Sequence, residues 1–298
     1  MTEKCKYYTE ETFQSLTCKN IEFSLIHFNI RSLRKHFDDL ICYLECLNHS
    51  FDVIALSETW LKDSDDLNFF TLPNFHPPII LNRPNEDGGG GIALYINNEF
   101  SFSVRDDLTY NSDESQFLFV QIVRKSTKSL IGVTYKPPKT NVESYSTCLT
   151  GLLDKLERNS MNCYIAGDFN IDLLKSDTDE STSSFFNNLL SYSFFPTIVK
   201  PTRIIDASAT LIDNIYSNVF DVVENIQPGI LYTDISDHLP VFVLQYGHTY
   251  KKYSKKMTKR VFSKLSEENF TREVSLVDWS TLYESQDPNE QYNHRDDG

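Results

Sequence analysis

The sequence contains no apolar run approaching the roughly 18 residues that a helical membrane span needs. Its first ten residues, MTEKCKYYTE, are polar and charged and hold no signal-peptide core. Both absences lead to the expectation of an intracellular protein, nuclear or cytoplasmic, with no membrane partner. Cysteine is sparse. The six residues Cys5, Cys18, Cys42, Cys46, Cys148 and Cys163 are scattered, and no second Cys/His pair stands at zinc-ligand spacing from the one close pair, Cys42 and Cys46. That pair lies within a helical apolar pattern and reads as buried thiols in a reducing compartment. Internal repeats and long low-complexity segments are also missing.

Several familiar chemical motifs are absent too. Gly88 to Gly91 precede an apolar run, whereas a dinucleotide fingerprint follows a strand and opens a helix. They lack the Gly-Lys-Ser/Thr of a P-loop, so their use is a turn into a strand that needs unusual backbone angles. Asp168 to Asp172 start like a calcium loop, but Leu173 stands where that loop requires glycine. No Gly-x-Ser-x-Gly elbow exists, and the adjacent Ser236, Asp237 and His238 cannot form a triad with one another.

Positive charge is in short supply. The net charge is −14, and residues 251–260, KKYSKKMTKR, carry six positive charges without an acid. Residues 261–298 carry nine acids against three bases, so these two segments cancel and the excess lies in residues 1–250. Such a body repels nucleic acid overall. Action on DNA therefore requires a local basic rim, the 251–260 cluster, or metal ions.

With 40% hydrophobic residues, the chain can bury a large core. Alternating or continuous apolar runs predict strands at 21–25, 52–57, 91–96, 116–123, 129–135, 162–166, 211–217 and 239–245. Helical spacing predicts helices through Phe37, Leu40, Ile41, Leu44 and Leu47, at 142–158, and at 182–192. Strands and helices mix through one unit, which predicts an α/β fold. Boundaries are expected at a short N-terminal segment (1–20), a main domain (21–247), and a basic then acidic, partly helical linker or tail (248–298).

Polar residues suited to metal or phosphate stand at the ends of these strands. Asn29 ends one run, Glu58 another, Tyr135 a third, and Asp168 with Asn170 a fourth. Asp213 and the pair Asp237–His238 border two more. Singly, each has an ordinary structural use: Asn29 a turn, Glu58 a helix start or ion pair, Tyr135 a packed aromatic, Asp213 a turn cap, His238 a surface imidazole. Jointly they match the needs of phosphodiester cleavage. A hard divalent cation takes carboxylate and amide oxygens. An attacking water needs an acceptor carboxylate, and the phosphate needs donors, one of them a histidine kept cationic by an acid. Asp168 and Asn170, two apart on a strand, would share one face while Phe169 enters the core. Asp172 reads as a surface acid.

These residues lie in HFNIRSL, ALSETWL, GGGGIALYI, GVTYKPP, AGDFNIDLL, TLIDNIYSN and DISDHLPV, in that order. The set resembles the endonuclease/exonuclease/phosphatase superfamily over about residues 22–246. More narrowly, it is similar to the endonuclease domain of non-LTR (LINE-type) retrotransposons. The resemblance implies a deoxyribonuclease I-like four-layer α/β sandwich, with two mixed sheets face to face and helices outside. It implies Glu58 as the main metal ligand beside Asn29, with Asp237 completing the metal cluster. Tyr135 and Asn170 would contact the scissile phosphate, and Asp168 would orient or deprotonate the water. His238, held by Asp213, would bind the phosphate, and Thr202 would lie near the DNA backbone. Mg²⁺, or Mn²⁺, is the implied cofactor and DNA the implied substrate.

Arg31, Pro138 and Leu211 depart from the pattern of relatives that repair abasic sites, and agree with the retrotransposon branch. In that branch a reverse transcriptase follows, and the tail after 261 resembles the connector to it. No Tyr-x-Asp-Asp motif is present, and Arg295-Asp296-Asp297 has no palm sequence around it. The expectation is a detached nuclease module, with a reverse transcriptase as a possible partner in trans. The rivals are a phosphoesterase of the same fold acting on lipid or small phosphates, and a catalytically idle transposon remnant.

Overall fold

The computed structural model describes residues 4–84, 89–124, 127–159, 161–205, 208–219, 225–247 and 264–280, without the side chains of 124, 127, 159 and 264–266. The basic run at 251–260 and Arg295 to Asp297 lie outside the described residues. The chain forms two compact units, Met1–His248 and Thr249–Gly298. Among the described residues of the second, the polar helix-prone sequence holds the helix Lys264–Leu276.

The first unit is built on two mixed seven-stranded sheets. One runs, in spatial order, β1 (Lys6–Tyr8), β15 (Ile226–Leu231), β16 (Val241–Tyr246), β2 (Ile21–Asn29), β3 (Val53–Ser57), β5 (Ile92–Ile96) and β4 (Ile79–Leu81). The other runs β11 (Phe195–Pro196), β14 (Asp213–Ser217), β10 (Asn162–Asp168), β9 (Thr127–Tyr135), β8 (Gln116–Arg124) and β6 (Ser101–Val104), with β7 (Tyr110–Asn111) also on β8. A separate hairpin pairs β12 (Arg203–Ile205) with β13 (Ser208–Thr210).

Three apolar clusters make four layers. The central one joins Leu25, Ala55 and Val243 of the first sheet to Val133, Ala166 and Ile215 of the second. Outside the first sheet, Ile26, Phe28, Ile54 and Phe242 pack with Phe13 of α1 (Glu10–Thr17) and with Leu40 and Leu47 of α2 (Leu33–Leu47). Outside the second, Leu130, Ile165 and Tyr216 pack with Leu149 and Leu153 of α3 (Val142–Asn159) and with Phe185 and Leu189 of α4 (Glu180–Ser191). Both faces of the central strands are buried, which explains their near-continuous apolar sequences.

The alternation decides where the polar residues go. Along β2, Leu25 faces the space between the sheets and Ile26 faces the helices. His27 and Asn29 therefore share the inward parity of Leu25. The same count places Asp168 with Ala166, Tyr135 with Val133, and Asp213 with Ile215.

Two expectations are corrected. The N-terminal residues are not a separate segment. β1 adds to β15 as a parallel edge strand, and Phe13, fully buried, fills the outer core because the Thr9–Thr12 capping box starts α1 above that sheet. Cys42 and Cys46 are exposed, because the buried stripe of α2 runs through Leu33, Leu40, Tyr43 and Leu47 and leaves them on the other side.

Candidate active site

Register brings one row together within the second sheet. Asp168, last in β10, is paired with Tyr135 at the end of β9 and with Asp213 at the start of β14. β10 approaches β9 closely at Gly167, where a Cβ would meet the Thr134 carbonyl oxygen at 2.1 Å. In the facing sheet, Asn29 pairs with Ser57, one residue before Glu58.

The two rows meet. Asn29 Nδ2 donates to Asp168 Oδ2 at 2.9 Å and to Glu58 Oε1 at 3.4 Å. Tyr135 donates its hydroxyl to Glu58 Oε1 at 3.2 Å, and Trp60 Nε1 donates to Glu58 Oε2 at 3.1 Å. His238 Nδ1 lies 2.9 Å from Asp213 Oδ2. Ligand atoms of Asp168, Asp213 and His238 fall within 4.8 Å of one another. Seven of the expected residues thus converge: Asn29, Glu58, Tyr135, Asp168, Asn170, Asp213 and His238.

Glu58 is held from two sides. Ser32 N and Leu33 N donate to the carbonyls of Glu58 and Thr59, while Thr59 N and Trp60 N donate to Gly91 and Gly90. Gly91 adopts φ +83°, and a Cβ there would meet Thr59 Oγ1 at 2.4 Å. Gly90 and Gly91 therefore support the Glu58 loop, and the positive φ of Gly89, Gly90 and Gly91 is the unusual backbone expected. Gln116 ties it down by accepting from Gly91 N at 2.7 Å. Positive φ at Arg31, Ser32, Glu58, Trp60 and Asn170 gathers backbone strain around the site. Such positions cost about 1–3 kcal/mol each and persist only where the surroundings fix them.

Burial and charge set the protonation states. Burial disfavours the imidazolium of His238, but the Asp213 carboxylate, helped by Asp168 and Asp237, outweighs it and holds the pKa up at about 9. Burial opposes ionisation of Asp213 as well, yet His238 and the hydroxyl of Thr202 keep it below its ordinary value. Asp168 is pushed up to about 8 by burial and by the charge of Asp213. Burial and the Glu58 charge raise the Tyr135 hydroxyl, so it stays a donor.

The donor set fits a hard divalent cation. Asn29 Oδ1 is buried without a hydrogen-bond partner, as is Asp213 Oδ1. An orphaned amide oxygen beside two carboxylates suits Mg²⁺ or Mn²⁺ better than a soft metal. His238 Nδ1 is committed to Asp213, which leaves the oxygens of Asn29, Glu58, Asp168 and Asp213 as the donors that would be available to such an ion.

Four expected roles change. Asn170 adopts φ 45°, so a turn and not strand alternation returns it to Asp168. Its Nδ2 donates to Asp168 Oδ2 at 2.9 Å and to the Lys136 carbonyl at 2.8 Å, so both amide hydrogens serve the protein and neither is free for a phosphate. Thr202 is fully buried and makes no surface for DNA. Its hydroxyl donates to Asp213 Oδ2 at 2.7 Å and accepts from Asp213 N at 3.1 Å. Both oxygens of Asp237 are engaged by guanidiniums, Oδ1 by Arg31 at 2.5 Å and Oδ2 by Arg203 at 2.7 Å. Asp172 is no plain surface acid: it accepts from Leu211 N at 3.0 Å and fixes the loop before Asp213.

Sequence reasoning also passed over supporting residues. Ser236 donates to the Asn29 carbonyl at 2.7 Å and accepts from His238 N at 3.1 Å, joining two site loops. His27, fully buried, is driven down to about 4 by burial and meets Ser57 Oγ at 3.1 Å. Lys136 is buried with its ammonium on the Pro137 carbonyl at 3.2 Å. The signal for His27 was present, since it shares the parity of Asn29.

Among solved structures, the chain is similar to the endonuclease domain of TRAS1, a telomere-specific non-LTR retrotransposon, at 14% identity and TM-score 0.57, covering 75% of this chain and 98% of that one. It is similar to the AP endonuclease LMAP from Leishmania major at 15% identity and TM-score 0.60, covering 76% and 88%. It also resembles the 3′ phosphatase NExo from Neisseria at 13% identity and TM-score 0.56, covering 76% and 100%. These likenesses establish the sandwich fold. Comparison with curated proteins finds no match. The sequence pattern of the Endonuclease/Exonuclease/phosphatase family covers residues 26–238, the whole span from β2 to His238. On that match, joined to the two-sheet sandwich and the residues that meet at its edge, the chain belongs to the endonuclease/exonuclease/phosphatase family.

Proposed function

We propose that the protein is a divalent-metal-dependent endonuclease that hydrolyses a phosphodiester bond in one strand of DNA, leaving a 3′-hydroxyl and a 5′-phosphate. The observation that carries this reading is the meeting of a His238–Asp213 pair with Asp168, Asn29 and Glu58 across the two sheets.

Asp168 accepts the proton of the attacking water. Its position is fixed by Asn29 Nδ2, Asn170 N and Asn170 Nδ2, each at 2.9 Å. His238, cationic through Asp213, donates from Nε2 to the phosphate oxygen that gains charge. Thr202 holds Asp213, and Tyr135 orients Glu58. Glu58 and Asn29 hold the cation, and Asp213 Oδ1 remains as a further acceptor. Bound Mg²⁺ or Mn²⁺ supplies positive charge at the phosphate and favours the ionised form of the carboxylates beside it.

The order and wording of the motifs, together with the likeness to the TRAS1 domain, favour a retrotransposon nickase whose product 3′-hydroxyl primes reverse transcription. A reverse transcriptase acting in trans is part of that reading. The rival, a phosphoesterase of lipid or small phosphates, is favoured by the −14 charge. An idle remnant is disfavoured by the completeness of the Asp168–His238–Asp213–Glu58 set. Incubating purified protein with supercoiled plasmid, with Mg²⁺ and with EDTA, beside phosphoinositide and nucleotide substrates, tests the three. Mg²⁺-dependent open-circle product supports the nickase; phosphate release from the small substrates alone supports the rival; no reaction by folded protein supports the remnant.

A further inference from the structure

Asp237 joins two arginines that are 172 residues apart in sequence. Arg31 Nη1 donates to Oδ1 at 2.5 Å, and Arg203 donates to Oδ2 through Nε at 2.8 Å, with Nη2 in ion-pair contact with the same oxygen at 2.7 Å. One carboxylate thus neutralises one of two guanidiniums, and the trio keeps a net positive charge. The arginine side chains are 41% and 36% exposed, against 23% for Asp237. Among the described residues, these bonds engage only Nη1 of Arg31 and leave Nη1 of Arg203 unused, so both forks retain donors toward solvent.

The trio stands one step from the site on three separate segments, two loops and the start of β12. Asp237 precedes His238, Arg203 follows Thr202, and Arg31 is two residues past Asn29. Arg203 and His238 also form a backbone bridge. The carboxylate fixes the guanidiniums beforehand, so little side-chain entropy remains to be lost when an anion arrives. In a chain of net charge −14, a fixed positive pair at this spot is placed against the general repulsion of polyanions.

We propose that Arg31 and Arg203, braced by Asp237, bind a backbone phosphate neighbouring the one that is cut. The substrate is then a polynucleotide strand and not an isolated phosphate ester. This deepens the nuclease reading and rests on it. Lysine at either place would keep the charge and lose the fork.

The test is binding, read apart from cleavage. Fluorescence anisotropy of a labelled duplex oligonucleotide is followed in EDTA across a salt series, for wild type, Arg31→Gln, Arg203→Gln and the two lysine variants. Each glutamine variant is expected to weaken binding about tenfold and to flatten the slope of log K against log salt by about 0.9. Lysine is expected to restore the slope and only part of the affinity. Thermal melts identify any variant that fails to fold, and a folded lysine variant with full slope then carries the comparison. Unchanged slopes in folded glutamine variants overturn the proposal, even where wild type nicks plasmid. Altered slopes with no nicking by wild type uphold phosphate binding here and count against the nuclease reading instead.

Discussion

His238 Nδ1 and Asp213 Oδ2 lie 2.9 Å apart where the two residues are 6% and 1% exposed, so a full charge pair is kept inside the sandwich edge. Asp213 sits there because β14 begins at it, and its register with Asp168 places the pair beside a second acid.

The pair predicts a pH profile. The folded pKa of His238, about 9, stands above the ordinary 6.5. Its stabilising contribution is therefore full below about pH 6.5 and is lost as pH rises through about 9. Asp213 has the opposite sign: its pKa is depressed, so its contribution is present above the ordinary carboxylate value and lost on acidification. In Asp213→Asn, burial acts on His238 without the opposing carboxylate. The alkaline limb of kcat/KM for nicking should move from near pH 9 to below about 7, with activity at pH 7.5 reduced about 100-fold. Nicking rates between pH 5.5 and 10 check this.

Thr202→Val should act through stability and catalysis, not through DNA affinity. It removes the donor to Asp213 Oδ2 and strands Asp213 N, at a cost of about 1–3 kcal/mol. Urea denaturation measures the loss, and anisotropy of bound DNA should match wild type.

Gly91→Ala places a methyl 2.4 Å from Thr59 Oγ1 at φ +83°. The Glu58 loop must shift, so stability should fall by about 1–3 kcal/mol and the Mg²⁺ needed for half-maximal nicking should rise. A melt and an Mg²⁺ titration check both.

Glu58→Gln should raise the half-saturating Mg²⁺ concentration at least tenfold, because it removes the carboxylate proposed to hold the cation. Asp237→Asn should shift that concentration far less, since both oxygens of Asp237 already serve guanidiniums. Paired titrations of the two variants separate the assignments.

What the sequence made legible follows the reach of its patterns. Asn29, Tyr135, Asp168 and Asp213 could be placed because strand alternation continues to the last residue of each run. Alternation points Asn170 to the side it occupies, but the strand ends at Asp168 and a left-handed turn does the rest. Cys42 and Cys46 escape the periodicity because the apolar residues on α2 form a wide stripe, and its true edge is set by the sheet beneath. Long-range bonds left no local trace. Arg31 and Asp237 are 206 residues apart, and nothing near either one announces the other. Thr202 could be located by its motif, but its direction, into the core toward Asp213, depended on tertiary packing.

If Asp168 and His238 work on one phosphodiester in the presence of a divalent ion, plasmid nicking by wild type, Asp168→Ala and His238→Ala, in Mg²⁺ and in EDTA, is the decisive measurement. Wild type should give open-circle product with Mg²⁺ and none with EDTA. Both variants should lose about 10³-fold or more, roughly 4 kcal/mol of transition-state stabilisation, with melting curves that show folded protein. Nicking at wild-type rates by both folded variants, or nicking that persists in EDTA, would contradict that joint action.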